Sequence, residues 1–174
     1  MSKLDFCIVI PVYNEEKIIL NTINKALKFS KKYNFRIIII NDGSKDSTEK
    51  ILSKIKNKKI ITLNKKNEGH GQAIITGYKK ALKLKPQFIL QIDSDDQISF
   101  GEFKKLFKYR NQFDCVVGKR KNRKDPISRI LISFILNKVF IFLLFGQYVD
   151  DANCPLRVIK TNFLDNIINQ ISLI

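Results

Sequence analysis

At 174 residues with 44% hydrophobic side chains, the chain has the length of one domain and enough apolar content for a sizeable core, which excludes global disorder. Lys and Arg number 32 against 16 Asp and Glu, a formal net charge of +16. That balance favours an anionic partner: nucleic acid, an anionic membrane surface or a phosphate-rich ligand. The three cysteines contain no Cys-x-x-Cys pair and the chain has a single histidine, so a zinc constellation is excluded. Reduced, cytosolic chemistry is the expectation, and the start of the chain is too short and too β-like for a signal peptide.

Residues 6–10 form an apolar, β-branched run ended by Pro11 and read as a buried parallel strand. Residues 14–31 place Ile18, Ile19, Ile23, Ala26 and Leu27 at helical spacing, with Glu15 and Glu16 in the first turn. A second strand is expected over 35–40, a turn from Asn41 to Ser44, and a second helix over 46–57. A third strand over 60–63, a third helix over 71–84 and a fourth strand over 88–92 follow. A short helix near 100–109 precedes a fifth strand at 115–117. Strands and helices alternating through short links predict an α/β fold with a mostly parallel, Rossmann-like sheet flanked by helices, in one domain over 1–174.

A basic run from Lys119 to Lys124 leads into an apolar segment over 126–145. A membrane span needs about 20 mainly apolar residues, and Arg129, Asn137 and Lys138 interrupt this one. Two readings remain: a helix lying in the membrane interface, which the basic run favours, and a plain core helix.

Polar clusters follow each strand. Pro11, Tyr13, Asn14 and Glu15 follow the first, Asn41, Asp42, Gly43 and Ser44 the second, and Asn67, Gly69, His70 and Gly71 the third. Asp93, Ser94, Asp95, Asp96 and Gln97 follow the fourth. In a parallel sheet these ends share one rim, where ligands of open α/β sheets bind. Two carboxylates two residues apart beyond a buried strand suit a hard divalent cation that shares its shell with phosphate oxygens. Singly, each cluster also reads as a helix cap or a turn. The Gly69–Gly71 stretch lacks the third glycine of a dinucleotide fingerprint, and no Walker A motif is present. The basic residues are scattered and no recognition motif appears, so nucleic acid is not an expected partner.

These clusters resemble the motifs of family 2 glycosyltransferases of the GT-A fold. The likeness rests on Val9-Ile10-Pro11-Val12-Tyr13-Asn14-Glu15, Asn41-Asp42-Gly43-Ser44 with Asp46 and Thr48, Asn67-x-Gly69 with Ala73 and Gly77, and Asp93-x-Asp95. Within that family the chain is most similar to dolichyl- and polyprenyl-phosphate sugar synthases. Asp93-x-Asp95-x-Gln97 matches their metal motif, Val117-Gly118-Lys119-Arg120 with Arg129 resembles their V-G-S-R and downstream Arg, and Asp151 to Arg157 stands where they carry D-x-x-S-G-F-R. Lys119 replaces the Ser of the second motif, and Cys154-Pro155-Leu156 replaces Ser-Gly-Phe in the third.

The resemblance implies an inverting, metal-dependent transfer of a sugar from a nucleotide-sugar donor to polyprenyl (dolichyl or undecaprenyl) phosphate. It implies that Pro11, Tyr13, Asn14, Glu15, Asp42, Gly69 and Asp93 bind the nucleotide. It also implies that Asp93, Asp95 and Gln97 hold Mg2+ or Mn2+, and that Arg120, Arg129 and Arg157 grip phosphates beside Asp95 and Asp151. It further implies an apolar helix after the fifth strand and a peripheral place on the cytoplasmic face of an anionic membrane. The chain contains no Trp and no Glu-Asp pair, the base motif of relatives that act on sugar hydroxyls. A phosphate acceptor is already ionised and needs no base. Asp150 or Asp151 as a base keeps open a second reading, transfer to a hydroxyl of a cell-surface glycan. The synthases continue beyond the Arg157 region, so a chain shortened at its C-terminus, and with it a catalytically incomplete nucleotide-sugar-binding module, is the third reading.

Overall fold

The computed structural model describes residues 3–94, 100–119, 151 and 154–171. The apolar segment over 126–145 and the site candidates Asp95, Gln97, Arg120 and Arg129 lie outside the described residues. The strands are β1 (Phe6–Val12), β2 (Phe35–Asp42), β3 (Ile60–Lys65), β4 (Phe88–Gln91), β5 (Cys115–Val117) and β6 (Arg157–Lys160). The helices are α1 (Ile19–Ser30), α2 (Thr48–Ser53), α3 (His70–Lys83), α4 (Phe100–Phe107) and α5 (Thr161–Ile171).

Among the described residues one six-stranded sheet forms in the order β3-β2-β1-β4-β6-β5. β1 to β4 run parallel, and β6 alone runs against its neighbours β4 and β5. The period-2 pattern sends alternate residues to opposite faces. Phe6, Ile8, Ile10, Ile37 and Ile39 pack with Ile19, Ile23 and Leu52 and with Phe103 and Phe107, so α1, α2 and α4 cover that face. Cys7, Val9, Ile38, Ile40 and Ile89 pack with Ala73, Ala81, Leu164 and Ile168, so α3 and α5 cover the other. β1 and the central part of β2 are buried on both faces, which is why they read as continuous apolar runs. Burial pushes the Cys7 thiol up to about 12, as expected for a small core residue.

Phe6, Phe35 and Phe88 each begin a strand, and they gather Phe29, Tyr33, Phe103 and Phe107 into an aromatic cluster with ring centroids 5.1 to 6.4 Å apart. The cluster sits at the amino ends of the strands. The opposite rim is left for polar loops.

The elements differ from the sequence expectation in five places. β1 runs through Pro11 instead of stopping there; Pro11 lies past the last pair with β4, so one side of the strand is open where the N–H is missing. β2 continues through Asn41 and Asp42, expected in a turn, because both pair with β3. α1 begins at Ile19, since the N–H groups of Glu15 and Glu16 go to Thr48 and Asp46 instead of a helix. α2 covers only Thr48–Ser53, because the Lys-rich residues after it offer no apolar stripe. β6 was not expected at all.

Gly77 allows α3 to lie directly on the sheet. A Cβ there would stand 2.4 Å from Val9 Cγ1 and 2.6 Å from Ile40 Cδ1. Gly77→Ala should therefore lower unfolding free energy in urea by about 1–3 kcal/mol, the range for overpacking a filled core. An unchanged denaturation midpoint would show that α3 shifts to make room at no cost.

Candidate functional site

A cleft of about 350 Å³ opens at the carboxyl ends of β1, β2 and β4. Its walls include Pro11, Tyr13, Glu15, Asp42, Gly69, His70, Asp93 and Ser94. Parallel register produces this convergence: Phe6 pairs with both Phe35 and Phe88, so the strands start level and their exits reach one rim.

The loops after β1 and β2 brace each other. Asn14 N–H donates to Ser44 Oγ at 3.0 Å, and Lys45 N–H donates to Asn14 Oδ1 at 2.7 Å. Glu15 N–H donates to Thr48 Oγ1 at 2.9 Å and Glu16 N–H to Asp46 Oδ2 at 3.1 Å. In return Ser47 N–H donates to Glu16 Oε2 at 2.9 Å. Asn14 adopts φ 56°, a left-handed conformation that asparagine tolerates. Its expected role at the nucleotide is thus accompanied by a structural one. Asp46, one residue before the N-cap Ser47, accepts the N–H of Thr48, the first residue of α2, at 2.9 Å. Burial pushes the Asp46 carboxyl up, but the bonds from Thr48 and Glu16 outweigh it and hold it below the ordinary value.

Asp42 joins the loop after β3 to the rim. Its Oδ1 accepts from Lys65 Nζ at 2.8 Å and Glu68 N–H at 3.2 Å, and its Oδ2 from Gly69 N–H at 3.0 Å. Lys65 also pairs with Glu68 at 2.6 Å. Burial raises the Asp42 carboxyl, yet Lys65 and the two backbone donors prevail and keep it ionised below the usual range. Gly69, at φ 92°, turns the chain into α3 and sets His70 on the cleft wall.

The loop after β4 is held from α1 and β1. Thr22 Oγ1 donates to the Ser94 carbonyl at 3.0 Å, and Ser94 Oγ donates to Glu15 Oε1 at 3.4 Å. This fixes Asp93 in the cleft, with Oδ1 3.5 Å from His70 Nε2. A carboxylate beside an imidazole nitrogen is a donor set that fits a divalent cation. Of the expected metal ligands, Asp93 is described and in the cleft, whereas Asp95 and Gln97 lie outside the described residues.

Arg157 opens β6 opposite Gln91, next to the rim. Its Nε donates to the Cys154 carbonyl at 3.3 Å, and its guanidinium is within hydrogen-bonding reach of the Tyr78 hydroxyl, which in turn donates to Gln91 Oε1. Asp151 is buried, with its carbonyl accepting from Cys154 N–H at 3.1 Å. Sequence reading passed over Thr22, Tyr78 and Gln91, and set His70 in the third polar cluster without giving it a role. The first three sit inside elements and carry no local signal. His70 did carry one: a lone histidine between glycines at a strand exit.

Asp46→Ala, which removes the acceptor for the Thr48 and Glu16 N–H groups, should lower the melting temperature at neutral pH by the equivalent of about 1 kcal/mol. The Asp42 and Asp46 carboxyls titrate lower in the folded chain than in the unfolded one. The stability they add is therefore fully present above the unfolded carboxyl pKa of about 3.9 and is lost as pH falls through their folded values. Thermal melts across that acid range should fall less steeply for Asp46→Ala than for the parent. Parallel pH profiles would contradict the bracing role.

The sequence profile described as "Glycosyl transferase family 2" matches residues 7–154. UDP-N-acetylglucosamine–dolichyl-phosphate N-acetylglucosaminyltransferase of Methanococcus voltae is 32% identical, over 94% of this chain and 72% of its own length. Undecaprenyl-phosphate 4-deoxy-4-formamido-L-arabinose transferase of Pectobacterium atrosepticum is 31% identical, over 90% of this chain and 49% of its own. Among solved structures, S. aureus TarS 1–349 in complex with UDP aligns with TM-score 0.64 and 25% identity, over 94% of this chain and 49% of that one. The chain thus spans about half the length of the last two proteins. The mostly parallel sheet with its rim cleft is the GT-A fold, and with the profile covering the strand-exit motifs, the chain belongs to glycosyl transferase family 2.

Proposed function

We propose that the protein transfers a sugar from a nucleotide-sugar to polyprenyl phosphate, dolichyl or undecaprenyl, with inversion at the anomeric carbon and with Mg2+ or Mn2+ as cofactor. The observation that carries this reading is the meeting of Asp42 and Asp93 in one cleft, beside a loop braced in place. The dolichyl- and undecaprenyl-phosphate transferases among its relatives support the acceptor.

On this reading Tyr13, 43% exposed, offers a ring face to the nucleobase. Asp42 has one acceptor position left for the base or ribose: a carboxylate offers about four, and Lys65, Glu68 and Gly69 occupy three. Asp93, with Asp95 and Gln97, would hold the cation against the donor diphosphate. When bound, the cation offsets the charge that develops on the departing nucleoside diphosphate. Arg157, with Arg120 and Arg129, grips acceptor phosphate through planar guanidinium forks. A phosphate oxygen, already ionised, then forms the new bond to the anomeric carbon as the bond to the diphosphate breaks, and no proton has to be removed. Positioning and charge stabilisation supply the catalysis. Polyprenyl phosphates reside in membranes, so the enzyme works at a membrane surface, peripherally on the cytoplasmic face. Its net charge of +16 favours anionic lipid. No helix among the described residues is long and apolar enough to cross a membrane.

The test is transfer of radiolabelled sugar, with UDP-N-acetylglucosamine as the first donor, to polyprenyl phosphate and to the matching polyprenol. Label should enter the phosphate alone. Arg157→Ala should cut turnover about a hundredfold, as for loss of a charge-stabilising donor, with donor affinity little changed. Transfer to a hydroxyl acceptor that Asp151→Asn abolishes would overturn the reading.

A further inference from the structure

His70 is the chain's single histidine, and none of the roles above uses it. It opens α3 at the cleft wall, and its ring is 59% exposed while the Asp93 side chain behind it is 24% exposed. The imidazole is thus the more exposed of the two groups, and both line the same cleft. Such a pair has three uses. An ion pair needs a protonated ring and contributes little where the ring is this open. A contact to the diphosphate alone would not require the ring to face Asp93. A shared cation uses both groups at once. Ligands about 2.1 Å from one ion stand about 3–3.5 Å apart when adjacent, and the observed Nε2–Oδ1 separation is 3.5 Å.

We propose that His70 Nε2 is a ligand of the divalent cation that Asp93 holds, adding a nitrogen donor to an oxygen shell. This rests on the reading of the cleft as a nucleotide diphosphate site. A nitrogen donor has a consequence for selectivity. Mg2+ demands a near-ideal octahedron of oxygens, whereas imidazole suits first-row transition ions. The site then prefers Mn2+ or Co2+ to Mg2+, and His70 sets that preference.

Because the chain has one histidine, isotope labelling reports on His70 alone. The tag-free full chain is loaded with Mn2+ and UDP, and electron spin echo modulation is recorded with ordinary histidine and with histidine labelled with the heavy nitrogen isotope. Nitrogen coupling that changes with the label is the expected result. His70→Asn should abolish that coupling. It should also lower the Mn2+ to Mg2+ affinity ratio at least about tenfold, in line with losses at metal-site residues, while UDP binding with Mg2+ persists. Bound Mn2+ with no label-sensitive coupling would overturn the inference and leave the cleft reading standing. Failure of Mn2+ to bind with UDP would overturn both.

Discussion

Level strand starts govern the rest of this molecule. Phe6 pairs with Phe35 on one side and Phe88 on the other, and Ile37 with Ile60, so four parallel strands deliver their carboxyl ends to one rim. Side chains from distant parts of the sequence then meet without any loop having to search for a partner. The two ends of the sheet divide their tasks. Aromatic rings close the amino end, and hydrogen-bonded polar loops shape the other. The core therefore tolerates a polar rim whose geometry is set by backbone donors and carboxylates.

That rim is held by exchange between neighbours. Asn14 and Glu16 give side-chain oxygens to the loop after β2, and Ser44, Asp46 and Thr48 give theirs to the loop after β1. Each loop is the other's cap. Asp42 extends the lattice to the third exit, and Thr22 and Ser94 extend it to the fourth. The strongly basic chain thus sets the acidic side chains of Glu15, Asp42 and Asp93 around one cleft. Lys65 shows the other side of that arrangement, a positive charge spent inside the site on Asp42 and Glu68.

Much of this was legible in the chain. Continuous apolar runs at β1, β2 and β4 marked buried parallel strands, and each polar cluster lay one step beyond a run. Pro11 and Asp42 were misjudged locally, because proline and Asn-Asp-Gly are usual signs of a turn; pairing to one neighbour carried both strands further. β6 escaped because Arg157–Lys160 is four residues long and antiparallel, with no periodicity to announce it. The rim position of Asp93 was visible in the sequence, but the ring facing it was not, since the distance between His70 and Asp93 exists only once α3 lies on the sheet.

The central claim is that one rim cleft binds a nucleoside diphosphate through a cation at Asp93. Isothermal titration of UDP, with and without Mn2+, into the parent chain and into Asp93→Asn tests it most directly. Mn2+ should strengthen UDP binding to the parent and have little effect on the variant, whose ligand-free melting temperature should stay close to the parent's. Undiminished Mn2+ dependence in Asp93→Asn would contradict the assignment of the site.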